Sequence, residues 1–290
     1  MSLYLIIHDG GNKSCGYKNS AKQTLLFIKE TGKMLDQIIL FFTGFTANVL
    51  ASFSGGGAGF VQLPVLIFMG LPFAIALGTH KVAVVALGLG SLAKNHRISN
   101  INLRVALIFI FWGCPAVVAG SILVVGLSDM TSELLLGIIT IVSVIYSAAK
   151  KEFGLVNREN TLTVRGWVTS ALLTMAVGFL SGSFSSGAGL VAIMVLVMGY
   201  GMDIKKAIQH SMILVAFLWN LVGAVSVGAV AEIKWEWVPM LVLGAFLGGF
   251  TGTALIKYLD AKVIKKLFQI IMLLSGILLI YKACSHFTGG

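Results

Sequence analysis

Apolar runs of 14 to 25 residues recur from about Leu35 to Cys284, each bounded by a short polar loop. A helix that crosses a bilayer needs about 20 apolar residues, whereas the strands of a membrane barrel alternate over segments of about ten. The runs therefore call for helices in lipid, where a helix satisfies its backbone polar groups within one segment. With 57% hydrophobic and 11% charged residues and a mean hydropathy of +0.95, the chain lacks the polar surface of a water-soluble protein of this size. The fold class is an all-α polytopic membrane protein.

Hydropathy and helix breakers together predict ten helical segments, at 35–54, 58–70, 74–93, 102–127, 133–149, 163–184, 187–200, 204–229, 236–257 and 263–283. Two of them, 58–70 and 187–200, amount to about 20 Å of helix, too short to cross the hydrocarbon comfortably. Each follows a glycine-rich break, SFSGGGAG at 52–59 and SFSSGAG at 183–189. An offset of 130 residues aligns Gly57-Ala58-Gly59 with Gly187-Ala188-Gly189 and also pairs Val61 with Val191, Leu66 with Leu196 and His80 with His210. The chain reads as an internal duplication: an N-terminal tail (1–34), a first membrane repeat (35–149), a linker loop (150–162) and a second repeat (163–284). Five segments per half make the halves inverted, if all five cross or if the first two form a hairpin that dips in and returns. If each short segment instead continues its predecessor as one broken span, the repeats are parallel. Inversion is the expectation, an arrangement that recurs among secondary transporters.

The formal charge of +10 resides mostly in loops and the tail, so it reports membrane orientation before it suggests any acidic partner. Lys94, Arg97, Arg104, Lys150, Lys151, Arg158, Arg165, Lys205, Lys206, Lys257, Lys262, Lys265 and Lys266 collect on one side, which is expected to be cytoplasmic, with both termini outside. The lysines of the tail run against that rule. The start, MSLYLIIHDGGNKSCGYK, does not read as a signal peptide. Cys15, Cys114 and Cys284 are too dispersed for a metal site or a disulfide framework. No GxxxxGK[ST] loop, HExxH or GxSxG with a plausible base is present, so neither ATP-driven transport nor intramembrane catalysis is expected.

The breaks have a chemical use. The first N–H groups of a helix lack intrahelical partners and carry the positive end of its dipole, so a helix starting inside the membrane is a seat for an anion. The candidate binding residues are Ser54, Gly55, Gly56, Gly57, Gly59 and Gln62 at the first break, and Ser185, Ser186, Gly187 and Gly189 at the second. The serines could equally cap the short helices. Close helix packing by small residues is the competing use of the glycines. Asn48 and Gln62 flank the first break and need partners within the bundle. Thr79, His80, Gln209, His210 and Ser211 complete the candidate set, with His80 and His210, at equivalent positions, as candidates for carrying a coupled proton. Lys81 reads equally as a snorkelling side chain and as charge on an anion path. Trp112, Trp167, Trp235 and Trp237 read as interfacial anchors, while Trp219 and Asn220 lie deeper and could face a pore.

The stretches SGGGAGFVQLPVLIFMGLPFAIALGTHKVAVV and SGSFSSGAGLVAIMVLVMGYGMDIKKAIQHSMILV resemble the paired signatures of the TauE/SafE sulfite-exporter family. The resemblance covers about residues 36 to 284. It implies a multi-pass transporter of small anions, sulfite, organosulfonates or related carboxylates, in the inner (plasma) membrane. Two departures stand out: His80 occupies a position where a small hydroxyl residue is commoner, and Gln209-His210 replaces Gly-Thr. Alternating access with open coupling to protons is the expected mechanism, and a passive small-anion channel is the alternative. The expected partners are a small anionic substrate and the lipid bilayer, with association of several copies left open; nucleic acid, metals and cofactors are not expected.

Overall fold

A computed structural model describes residues 10–53, 55–94, 101–149, 164–255, 258 and 261–288. The chain divides into two compact units, Met1–Leu40 and Phe41–Gly290. What is described of the first is helix, because helix α1 runs Gly10–Phe53. The expected boundary of a tail at residue 34 is therefore not a helix boundary: the lysine-bearing stretch from Gly10 is helical although it has no apolar run to announce it.

The second unit holds the rest of the bundle. After α1 come α2 (Gly59–Phe68), α3 (Phe73–Lys94), α4 (Leu103–Val125), α5 (Asp129–Ala149), α6 (Val164–Phe184) and α7 (Ala188–Met198). Helix α8 is continuous from Ile204–Ser211 through a π-helical stretch, Met212–Trp219, into Asn220–Gly228. Helices α9 (Val238–Leu255) and α10 (Ala261–Thr288) complete it. Ten helices among the described residues match the ten expected segments, and no strand occurs among those residues. Six of the helices are long and apolar enough to cross a membrane. The linker 150–162 lies outside the described residues.

Local signals set the helix ends. The Asn102 side chain accepts from the N–H groups of Arg104 and Val105 to start α4, and Asp203 accepts from the N–H of Lys206 at 2.9 Å to start α8. The short helices α2 and α7 each run into a turn with a left-handed glycine, Gly70 (φ +97°) and Gly201 (φ +70°).

Packing settles how the short segments run. Tyr200, just beyond α7, lies edge-on to Trp167 near the start of α6, with ring centroids 6.4 Å apart. The Asn48 amide of α1 donates to Gln62 Oε1 of α2 at 3.0 Å. Both short helices therefore fold back along their predecessors as hairpins and do not continue them as single broken spans.

Four further pairings frame the centre. Helices α3 and α8 are antiparallel, with Gly78 beside Val227, Lys81 beside Gly223 and Gly88 beside Phe217. Helices α5 and α10 are also antiparallel, through Glu133–Lys282 at 3.0 Å and Gly137 against Gly276 and Ile280. Helices α1 and α9 run parallel through Gly44–Leu241, Asn48–Gly248 and Ser52–Gly252, and α4 and α6 do so through Gly113–Gly178, Val117–Gly182 and Gly120–Ser183. Glycine lets backbone meet backbone in the α1–α9 and α4–α6 contacts, as is common where lipid offers no hydrophobic drive to associate, and at α3–α8 Gly78 and Gly223 receive the side chains of Val227 and Lys81.

Candidate functional site

Three consecutive glycines are needed at the first break because Gly55, Gly56 and Gly57 all adopt positive φ, +71°, +119° and +115°. A side chain at any of them would be strained. The N–H of Gly56 closes the end of α1 on Ala51 O at 2.9 Å. At the second break Ser185 (φ +58°) and Gly187 (φ +76°) take the left-handed conformation. Neither short helix is capped by a side chain. The expected capping role of Ser185 is therefore not what its hydroxyl does: its Oγ donates to Asn220 Oδ1 at 3.1 Å. Ser54 lies outside the described residues.

The two breaks meet. A Cβ built on Gly189 would lie 2.6 Å from Gly55 O and 2.8 Å from Gly56 Cα, and one on Gly59 would lie 2.9 Å from Ser186 Oγ. The Ser211 hydroxyl of α8 donates to Gly55 O and reaches Gly189 O at 3.4 Å, tying both breaks to one residue. Ser186, Ser211, Gln62 and the surrounding glycines are all buried. Gln62 Nε2, Asn48 Oδ1 and Ser186 Oγ are buried without a hydrogen-bond partner.

Above the second break lies Lys81, which is 0% exposed. Its Nζ donates to Ser181 O at 2.7 Å and reaches Ser185 Oγ at 3.4 Å. A Cβ on Gly223 would come within 2.9 Å of Nζ, so a side chain there would have to displace the end of the lysine at the α3–α8 contact. Lys81 therefore does not snorkel to a membrane face. Asn220, below it, gives its amide to Val215 O (3.0 Å) and Ala216 O (3.3 Å), two carbonyls of the π-helical stretch, and so links that stretch to Ser185.

The two histidines, 130 residues apart, have different environments. His80 is buried, 1% exposed, and its Nδ1 has no partner. His210 accepts the N–H of Asn102 on Nε2 (2.9 Å), which leaves Nδ1 to donate to Lys206 O (2.8 Å). That ring pins the start of α4 to the start of α8. Thr79 Oγ1 accepts from the N–H of Lys234 (3.0 Å) in the α8–α9 connection, and Gln209 is half-buried near the start of α8. Of the expected residues, Gly55, Gly56, Gly59, Ser185, Ser186, Gly189 and Ser211 are drawn into one cluster, while Thr79 and His210 bond to other parts of the fold. Trp219 faces no pore; it stacks on Phe109 with centroids 5.1 Å apart and donates to Phe109 O at 3.0 Å. Sequence reasoning did not place Lys81, Ser181 and Asn220 in the cluster. The available signal was a lysine eight residues into an apolar helix, next to a histidine that the offset repeats.

Six helices long and apolar enough to span a membrane, packed with two helix hairpins and a buried polar cluster, define a multi-pass α-helical membrane protein. The family model for the sulfite exporter TauE/SafE matches residues 40–279. The chain belongs to that family, and the protein is a membrane transport protein. Among curated relatives, it is 24% identical over 267 residues to the probable membrane transporter protein YunE of Bacillus subtilis, covering 84% of this chain and 97% of that one. It is 28% identical over 246 residues to the probable membrane transporter protein ORF9 of a Sinorhizobium species (83% and 91%), and 25% identical over 251 residues to YfcA of Escherichia coli (84% and 89%). No solved structure matches this chain.

Proposed function

We propose that the protein is a secondary transporter that carries small anions, of the sulfite, organosulfonate or related carboxylate class, across the inner membrane by alternating access. The observation that carries this reading is the meeting of two glycine-lined helix breaks in the interior, Gly55–Gly56 against Gly189, beside a fully buried lysine. The positive ends of two helix dipoles and one cation in a low-dielectric interior form a seat for negative charge; at α2 the first N–H groups themselves bond to Gly57 O and Ala58 O. The packing also supports two inverted repeats. The offset of 130 relates α3 to α8 and α5 to α10, and both pairs run antiparallel; it also exchanges the α1–α9 pairing with α4–α6. Rocking of one half against the other about the α3–α8 crossing would then expose the breaks to each side in turn.

His80 is the candidate for the coupled proton, because it is buried with an unpartnered ring nitrogen, whereas both ring nitrogens of His210 are engaged. The test is purified protein in liposomes. A panel of sulfite, sulfoacetate, taurine, thiosulfate, lactate and citrate, screened first for thermal stabilisation and then for flux, should yield at least one anion that both stabilises and moves. Unlabelled substrate trapped inside should accelerate labelled uptake. Flux without such counterflow would establish the passive channel instead, and a panel with neither stabilisation nor flux would overturn the small-anion reading.

A further inference from the structure

We infer that Lys81 is the anchor for the charged head of the substrate and that the site is polarised, with one cationic end and one neutral end, so that it selects monoanions. This rests on the transporter reading above and narrows it. Lys81 leaves α3 and reaches the last turn of α6, where its Nζ lies 2.7 Å from Ser181 O and 3.4 Å from Ser185 Oγ. A helix C-terminus carries about half a negative charge, which only partly offsets the lysine. A lysine has three donors, and these contacts place two of them. The ion pairs among the described residues are Lys234–Glu236 and Lys282–Glu133, and neither involves Lys81. A buried charge in a membrane bundle calls for a counter-charge. Next to Ser185 and Lys81 in the chain lie two buried polar groups without partners, Ser186 Oγ and His80 Nδ1. Lys81 Nζ and the Ser185 hydroxyl it reaches thus present a cation and a hydroxyl together, which suits the oxygens of a sulfonate, hydrogensulfite or carboxylate head.

The polarity comes from comparing equivalent positions. The offset that aligns the glycine breaks takes Lys81 to Ser211 and Gly55 to Ser185. In the structure Lys81 reaches Ser185, while Ser211 reaches Gly55. The same cross-contact is made twice, once by an ammonium and once by a hydroxyl. A single cation compensates a single negative charge. A dianion bound across both breaks would present its second charge to Ser211 and the first break, which has a helix dipole but no cationic side chain.

The experiment uses the full-length protein in detergent and in liposomes, in mildly acidic buffer where sulfite is chiefly hydrogensulfite. The probes are sulfite and lactate as monoanions, and sulfoacetate and thiosulfate as dianions. The wild type should be stabilised more by the monoanions. Lys81→Met and Lys81→Gln, each keeping the stem and removing the charge, should weaken monoanion binding about tenfold to a hundredfold, the usual worth of a hydrogen bond to a charged group. Without anion, both variants should be at least as stable as the wild type, since an uncompensated charge has been removed. Unchanged affinity in a folded variant, or tighter binding of dianions by the wild type, overturns the inference while leaving small-anion transport standing. Lowered anion-free stability with unchanged affinity would assign Lys81 a purely structural part and equally overturn it. A wild type that binds none of the probes removes the transporter reading and this inference together.

Discussion

Gly189→Ala probes whether the meeting of the two breaks matters. The added methyl would lie 2.6 Å from Gly55 O, 2.8 Å from Gly56 Cα and 3.0 Å from Gly55 C, all backbone atoms. No side chain is available to swing aside. Break 1 is itself held by the Gly56–Ala51 hydrogen bond and by Ser211 on Gly55 O. Relief must come from parting the hairpins by several tenths of an ångström. Overpacking of this kind costs about 1–3 kcal/mol, and loss of the Ser211 bond adds about 1 kcal/mol. Better helix propensity returns at most about 1 kcal/mol. The net loss is then about 1–3 kcal/mol, or a melting temperature lower by roughly 3–10 °C at the few degrees per kcal/mol of a chain this size. Gly126→Ala is the control: its methyl meets only Leu123 O, at 3.5 Å, and its φ is an ordinary −78°. Thermal denaturation and anion flux should be measured on both. If Gly189→Ala melts and transports like Gly126→Ala, the close contact of the breaks has no energetic or functional content.

Two other perturbations test separate parts of the framework. Lys282→Met removes the lysine paired with Glu133, a carboxylate only 2% exposed, and its bond to Ile67 O at the end of α2; stability should fall by about 1–3 kcal/mol and largely return in the double variant with Glu133→Gln, as a thermal double-mutant cycle would show. His80→Gln should abolish the response of anion flux to a pH gradient, whereas His210→Gln should keep that response and lower stability by about 1 kcal/mol through loss of the Asn102 contact; the opposite assignment of the two phenotypes would show the environments have been misread.

Hydropathy made the ten helices legible because burial in lipid is written into composition, and the breaks were legible because three adjacent glycines have few uses other than positive φ. Direction was not legible. An apolar run of 13 residues reads the same whether it continues its predecessor or folds back, and the difference appears only when Tyr200 meets Trp167 or Asn48 meets Gln62. The helix from Gly10 escaped notice because GGNKSCGYKNSAKQ has neither apolar period nor hydropathy. The π-helical stretches Phe109–Gly113 and Met212–Trp219 have no local signature. Lys81 was undecided in the sequence because snorkelling and burial place a lysine at the same distance from a helix end; what separates them is Ser181, a hundred residues away.

The two hairpins share a backbone device and differ in what binds them. In the first, Asn48 donates to both Gly44 O (2.6 Å) and Gln62 Oε1 (3.0 Å), and the amides still hold a buried donor and acceptor without partners. The offset takes Asn48 to Gly178 and Gln62 to Ala192, so the second hairpin lacks this amide pair and is closed by the rings of Trp167 and Tyr200. The cation goes the other way: Lys81 lies at the second break, and its counterpart Ser211 at the first. Amides, which can hydrogen-bond but not neutralise, therefore flank one break, and a charge flanks the other. A site with identical ends would hold a ligand equally well in either direction. One with unlike ends orients any substrate that has a charged head and a polar tail, and here the differences fall at positions that the offset of 130 pairs.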